Sequence, residues 1–571
     1  MASKNISFDQ IPSSIRKPGK YFEFNTKLAV RTLPQLYQKL LVLAQRMGAV
    51  IEPEIWQGGT LDDLTKGGTF TGVGVKKQYR VKITTAAGTD KFKWSSDDGV
   101  TWSAEVALTG AAQALELGVT VTFGATTGHA LNDEWRFNAY SEPSVAEVVA
   151  TAIFSDAEAA AYFGYGSMAH LMVRAAIKAN PYLDITAICL DDAAGVAASG
   201  TITFTGTATG AGVLTLYIGN QKVEIAIASG DTPTIIATNL SNEIAANPDL
   251  PVTAQNAAGV VTLTSKHKGL CGNDIHLAYV LTNAPTVAVA IVAMANGATN
   301  PDPQDALDIA FAEQYHIIVM PWNTQADLVT LRDHLDLVAG PLEQRDGFAV
   351  YGMNGALADA TTLSGQVNSG MILCQYVRYT SATKRQSMPY EIAASMASVA
   401  ESEEDPARPL NTLELKGIAV PDVTDRLSRT EQESLLYNGV SPSEVGPGEK
   451  VQIVRAITTY IKDAQGIDDV SLLDITTMRT LFYVRLACRT RIALRFPREK
   501  LSSKTPPKVK SELLDVLKKL EDLEIVEEVT ANMDGLIVER DEQDVNRLNA
   551  KIPCDVVNGL HVFAGRIDLL L

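Results

Sequence analysis

The stretch FGYGSMAH, residues 163–170, holds two glycines, a serine and a histidine. Two chemistries use such residues at such spacing. A glycine turn can present backbone N–H groups to a phosphate, and a serine becomes a nucleophile when a histidine takes its proton. A phosphate turn must leave a strand and enter a helix, so that the anion meets free N–H groups. Here a helix comes first. Ser155 and Glu158 in SDAE form a capping box that opens it, and Gly164 suits its end. Ser167 suits the cap of a second helix, whose apolar face runs through Met168, Leu171/Met172, Ala175/Ala176 and Ala179 before Asn180–Pro181 stops it. Ser167 and His170 share that helix without a third partner. The stretch reads as an architectural corner.

Other constellations are weaker. SSDDGVTW (95–102) fits S-x-D-x-G-x-x-W, the aspartate-box turn of sialidases and related β-propellers. Asp97 and Gly99 close a hairpin there while Trp102 packs beneath it. The box occurs once, and a propeller needs about four or more blades, so a hairpin scaffold is expected, with carbohydrate contact as the alternative. The seven histidines form no HExxH, and no GxxxxGK[ST] loop exists. ESEED (401–405) reads as a solvated loop rather than a cation site. No catalytic residue, cofactor or metal is expected, and the chain is read as a non-enzyme.

Arg479, Arg485, Arg489, Arg491, Arg495 and Arg498 stand out in an acidic chain. On a helix Arg485 and Arg489 share one face, as do Arg491, Arg495 and Arg498. Two readings remain open: contact with a neighbouring acidic protein, or pairing with the following helix, which carries Glu521, Asp522, Glu524, Glu527 and Glu528.

The elements that must position these residues alternate in character. The chain has 571 residues, enough for about three to five domains, with 46% hydrophobic and 20% charged residues. A net charge of −17 argues against direct nucleic-acid binding. Five scattered cysteines without a CxxC pair fit buried thiols in a reducing compartment. The N-terminus lacks an apolar signal core and no stretch approaches a membrane span, so a cytosolic product is expected.

Residues 1–27 read as an extended arm through Tyr21, Phe22 and Phe24, with core segments expected at 28–56, 142–196 and 298–387. QKLLVLAQ, DITAICLDD, HIIVMPW, GFAVYGMNG and MILCQYVRYT are its strands, separated by helical stretches, as in a parallel α/β sheet. Two Gly- and Thr-rich blocks, 57–141 and 197–297, read as inserted β-domains. Residues 388–557 read as a C-terminal domain with two long helices, the second striped by Leu513, Val516/Leu517, Leu520 and Leu523/Ile525. Residues 558–571 alternate as a terminal strand through Val562, Phe563, Ile567 and Leu569. The fold class is therefore α/β and α+β multidomain: an α/β core, two β-rich insertions and extended terminal arms.

Several core stretches together resemble the tail sheath proteins of Mu-like contractile phages: ISFDQIPSSIRKPGKYFEFNTKLAVR, FSDAEAAAYFGYGSMAHLMVRAAIKA, GTATGAGVLTLYIGNQKVEIAIASGD, VVTLTSKHKGLCGNDI and SLLDITTMRTLFYVRLACRTRIALRFPREKLSSKTPPKVKSELLDVLKKLEDLEIVE. Residues 57–141 depart from that likeness. The resemblance implies a structural subunit that stacks in six-membered rings around a tail tube, with baseplate and terminator proteins as further partners. It implies assembly in the host cytoplasm and a place in the virion tail. Contraction would drive the tube through the host envelope, while both arms complete sheets of neighbouring copies. The competing readings are another tail component, or an adhesin using 57–141 to bind carbohydrate.

Overall fold

A computed structural model describes residues 17, 33–34, 38–72, 75–141 and 144–570. It shows a mixed α/β chain with many sheets and, among the described residues, ten α-helices. Two compact units separate: residues 38–479 together with the segment after 558, and residues 480–558. The expected arm residues Tyr21, Phe22 and Phe24 lie outside the described residues.

The larger unit is built on an eight-stranded sheet. Its strands in chain order are β1 (Leu40–Gln45), β2 (Thr151–Ile153), β3 (Ile185–Leu190), β4 (Ile317–Met320), β5 (Phe348–Met353), β6 (Ile372–Tyr376), β7 (Ser441–Gly446) and β8 (Lys450–Ile453). Their spatial order is β2-β3-β1-β4-β5-β6-β7-β8. The six middle strands are parallel, and the outermost strand at each edge is antiparallel to its neighbour. Every residue of β1, β3, β4, β5 and β6 is buried, which is why these segments read as continuous apolar runs rather than alternating ones. The register is direct: Leu40 faces Ile185 on one side and Ile317 on the other.

Helix Pro389–Ser402 is apolar and small all round, and its residues 389–400 are buried against β4, β5 and β6. Gly352 in β5 permits that approach, because a Cβ there would lie 1.9 Å from the Pro389 carbonyl oxygen. The compact division therefore does not fall near 388, where the rise in charge suggested a boundary. That helix and strands β7 and β8 complete the central sheet, and the division comes after Arg479.

Between β1 and β2, one sheet orders Val50–Ile51, Glu134–Tyr140, Lys76–Thr85, Lys91–Ser95 and Val106–Ala107, with Ile55–Gln57 also on Glu134–Tyr140. A second sheet joins Leu64–Gly68, Val119–Phe123 and Gln113–Ala114. Phe92, Phe123, Trp135 and Val81 close a core of their own here. Between β3 and β4, four- and three-stranded sheets pack with helix Pro233–Ala246. Their apolar residues, Ile202, Leu214 and Ile236 among them, belong to the same core as the central sheet.

The smaller unit packs the part of helix Ile475–Arg495 from Thr480 onward with helix Thr505–Asp522. Leu513, Val516, Leu517 and Leu520 are buried as the stripe predicts, and of the two closing alternatives Ile525 is buried while Leu523 is exposed. The helix ends at Asp522, so the chain has already turned at Leu523.

His129 is clamped inside the first β-rich block. Nδ1 lies 3.0 Å from Asp90 Oδ2 and Nε2 lies 2.8 Å from Asp63 Oδ1, with the ring edge-on to Phe123 and Trp135. Burial, the largest single influence, would lower its pKa, but its hydrogen bonds to Asp63 and Asp90 and their charges together raise the pKa above the ordinary value. Stability from a raised histidine pKa is fully present below about pH 6.5 and is lost as pH climbs through the folded value. Amide-exchange protection of Val119–Phe123 and Glu134–Tyr140, corrected for intrinsic rates, should therefore fall as pH rises above about 6.5. The slope should flatten in His129→Gln, and protection that holds or rises in the native chain would contradict the clamp.

Candidate functional site

The stretches that invited chemistry are used for capping. Ser155 Oγ accepts the Glu158 N–H at 3.2 Å, and Glu158 Oε2 accepts the Phe154 N–H at 2.9 Å. Gly164 ends helix Asp156–Phe163 at φ +97°. Ser167 Oγ accepts the His170 N–H at 3.2 Å and opens helix Met168–Ala179. The imidazole points elsewhere: Nδ1 accepts the Gly166 N–H at 3.0 Å, and Nε2 lies 3.0 Å from Asp156 Oδ1 and 2.8 Å from Arg174 Nη2. The serine hydroxyl and the histidine ring are thus committed to separate backbone groups, which leaves no nucleophile–base pair.

The aspartate box is likewise a closed turn. Asp97 accepts the Thr101 N–H at 2.8 Å, the Thr101 hydroxyl at 2.6 Å and the Ser95 hydroxyl at 2.7 Å. The Thr101 hydroxyl leads these bonds in holding the Asp97 carboxyl down at about 2. Trp102 Nε1–H donates to the Gly99 carbonyl at 3.0 Å. Among the described residues, no group of three or more His, Cys, Asp or Glu side chains could hold a metal ion.

An open parallel sheet takes ligands beyond the carboxyl ends of its strands, where chain order reverses. Here that place lies beside β1, and side chains fill it. Gln45 is buried, and its Nε2 donates to Asp192 Oδ1 at 2.8 Å and to the Lys268 carbonyl at 2.9 Å. Trp322 Nε1–H donates to Gln45 Oε1 at 3.4 Å. Asp192 Oδ1 sits 2.9 Å from His267 Nδ1, while His267 Nε2 accepts the Met168 N–H at 3.0 Å, which places the neutral ring's proton on Nδ1. Burial, the largest single influence, would raise the Asp192 carboxyl, but His267, the Lys268 N–H and Gln45 together hold it below the ordinary value. The ligand crevice of this sheet type has become a polar seam that fixes strand Val260–Lys268 to the core.

The arginines divide. Arg479 is buried and donates to the Glu403 carbonyl at 2.6 Å. Arg491, 2% exposed, pairs with Glu512 at 3.3 Å and with Asp515. Arg495 reaches the same Glu512 at 3.4 Å but keeps half its side chain in water. Arg485 lies over the Phe482 ring at 5.7 Å, and Arg489 is exposed. Glu521 accepts the Val529 N–H at 2.9 Å, and Glu524 is exposed at φ +57° in the turn after the helix. The helix-to-helix ion pairs thus use Glu512 and Asp515, which the sequence reading passed over. Their spacing of three residues on one helix face was the available signal.

The C-terminal residues are open. Val562, Phe563, Ile567 and Leu569 are 79–99% exposed, and no strand is formed across 557–570. Among the described residues, the expected terminal strand pairs with no other strand.

Residues 296–459 match the phage tail sheath protein central domain, and residues 468–569 match the phage tail sheath C-terminal domain. The Mu-like prophage FluMu tail sheath protein of Haemophilus influenzae is 35% identical over 434 residues, spanning 73% of this chain and 88% of that protein. This chain belongs to the phage tail sheath family. It is a structural component of a contractile tail. Among solved structures, a sheath tail protein of Desulfitobacterium hafniense is 14% identical, covering 73% of this chain and 91% of that one with a TM-score of 0.42. One from Listeria innocua is 13% identical, covering 72% and 89% with a TM-score of 0.41. The sheath central region holds β4 to β8, and the sheath C-terminal region holds both long helices and the open terminal segment. Among the described residues, no helix is long and apolar enough to cross a membrane.

The ion pairs of this sheath subunit separate by burial. Arg491→Ala should cost about 1–3 kcal/mol in urea unfolding, because it strands Glu512 and Asp515 while water still reaches both. Arg495→Ala should stay within about 0.5 kcal/mol. Equal effects of the two changes would refute the division.

Proposed function

We propose that this sheath subunit polymerises as stacked six-membered rings around a tail tube and contracts to drive the tube through a host envelope. The observation that carries this reading is the open C-terminal segment. Large apolar side chains stand in water over 562–570, inside the region that matches the sheath C-terminal domain. Unpaired backbone and alternating apolar side chains are what strand addition to another copy requires. A joint of about five hydrogen bonds contributes several kcal/mol and tolerates rotation of the bodies it links. The N-terminal arm, through Tyr21, Phe22 and Phe24, plays the matching part.

In this reading 57–141 and 197–297 are β-rich insertions in the sheath core, and 558–571 is the C-terminal arm. Baseplate and terminator proteins meet the ends of the assembly, which forms in the host cytoplasm and ends in the virion tail. Arg485, Arg489 and Arg495 face the tube, whereas Arg491 is spent inside the subunit.

Deleting the residues after His561 should leave unfolding free energy within about 0.5 kcal/mol of the full chain, because the removed side chains are exposed. The deleted protein should form no tubes by negative-stain microscopy, and ordinary tubes from it would refute the arm. Co-expression with the tube protein separates the arginine role. Arg489→Glu with Arg495→Glu should give sheaths empty of tube, and tube-filled particles from that pair would return both arginines to a purely surface role.

A further inference from the structure

From 560 to 570, one residue is drawn in from water. Leu560 and Val562 are 82% and 79% exposed, while the His561 side chain between them is 13% exposed. Its Nδ1 accepts a hydrogen bond from Asn411 Nδ2 at 2.9 Å, and its Nε2 faces Asp474 Oδ1 at 3.5 Å. Burial first, and then the Arg455 guanidinium, push the ring's pKa below the ordinary value, so the ring is neutral with its proton on Nε2, toward Asp474.

The partners are themselves fixed. Arg455 holds Asp474 with two bonds, at 2.8 and 2.6 Å. Asp474 stands at the start of helix Ile475–Arg495 and bridges to Ile457. The loop bearing Asn411 is laced to β8, with Thr412 N–H donating to the Ile453 carbonyl at 2.8 Å and Ile453 N–H to the Leu413 carbonyl at 3.0 Å. Gly559 lies flat against Pro409, where a Cβ would sit 2.4 Å from the proline ring. An exposed apolar tail gains nothing from holding one histidine in a polar socket unless its point of departure matters.

We infer that His561 is a clasp that roots the C-terminal arm on the larger compact unit, so that the arm of one copy, adding to a second copy of this chain, pulls on the central sheet. The inference rests on the proposed arm and adds where its load enters. Asn411, Asp474 and His561 all belong to the larger unit, so the clasp lies wholly within it. Pulling on residues beyond 561 then loads Asn411, β8 and the start of the long helix.

Critical concentration for tube assembly, read by light scattering and negative stain, tests this beside the thermal transition of the unassembled chain. His561→Ala should leave the transition in place and raise the critical concentration roughly tenfold, the equivalent of about one lost hydrogen bond. His561→Gln, which can accept from Asn411 and donate to Asp474, should recover most of the loss. Asn411→Ala breaks the same bond from the other side, and it carries the test if His561→Ala fails to fold. A critical concentration unchanged in both alanine variants overturns the clasp while leaving the arm intact. A native chain that forms no tubes under any condition overturns the arm and the clasp together.

Discussion

Parallel pairing of β1 with β3 on one side and β4 on the other is the constraint on which the larger unit depends. A parallel neighbour cannot be reached through a tight hairpin, because the chain must first return to the end of the sheet where it began. Each junction therefore contains a long crossover, and a crossover tolerates added length at low entropic cost. Both β-rich blocks sit in such crossovers, one between β1 and β2 and the other between β3 and β4. They differ in how they are attached. The first closes a core of its own, whereas the second shares the core of the central sheet and is sewn to it through His267, Asp192 and Gln45.

That sewing fills the end of the sheet where strand order reverses: Gln45, Trp322 and His267 are buried there, and they and Asp192 bond to one another. The corner at 163–170 follows the same logic at smaller scale. Polar residues that look catalytic in one dimension are consumed by helix ends, which leave several backbone groups in need of partners. A polar seam whose groups are paired with one another resists relative sliding better than apolar contact alone.

Much of this was legible along the chain. The buried strands declared themselves as short apolar runs, since a strand covered on both faces has no reason to alternate. Capping at Ser155 and Ser167, the stripe through Leu513 and Leu520 and the turn at Asp97 follow from local bonding and are visible in local spacing. The change in charge near 388 misled for a physical reason. Composition reports exposure, whereas helix Pro389–Ser402 is buried against β4, β5 and β6 and strands β7 and β8 extend the same sheet, so the chain continues one core across 388. The two arginines that looked alike, Arg491 and Arg495, share one acidic partner yet differ in exposure, which depends on the depth of each on its helix.

Sequence alone determined the buried strands of the central sheet, the helix caps, the apolar stripe of the second long helix and the acidic balance, because each is a property of neighbouring residues. Tertiary structure alone decided which strands flank β1, which β-rich block shares the central core, which carboxylates meet Arg491, and that His561 is seated between Asn411 and Asp474. Those are contacts between residues far apart along the chain, and no local pattern records them, because they arise only when the sheet order brings distant segments together.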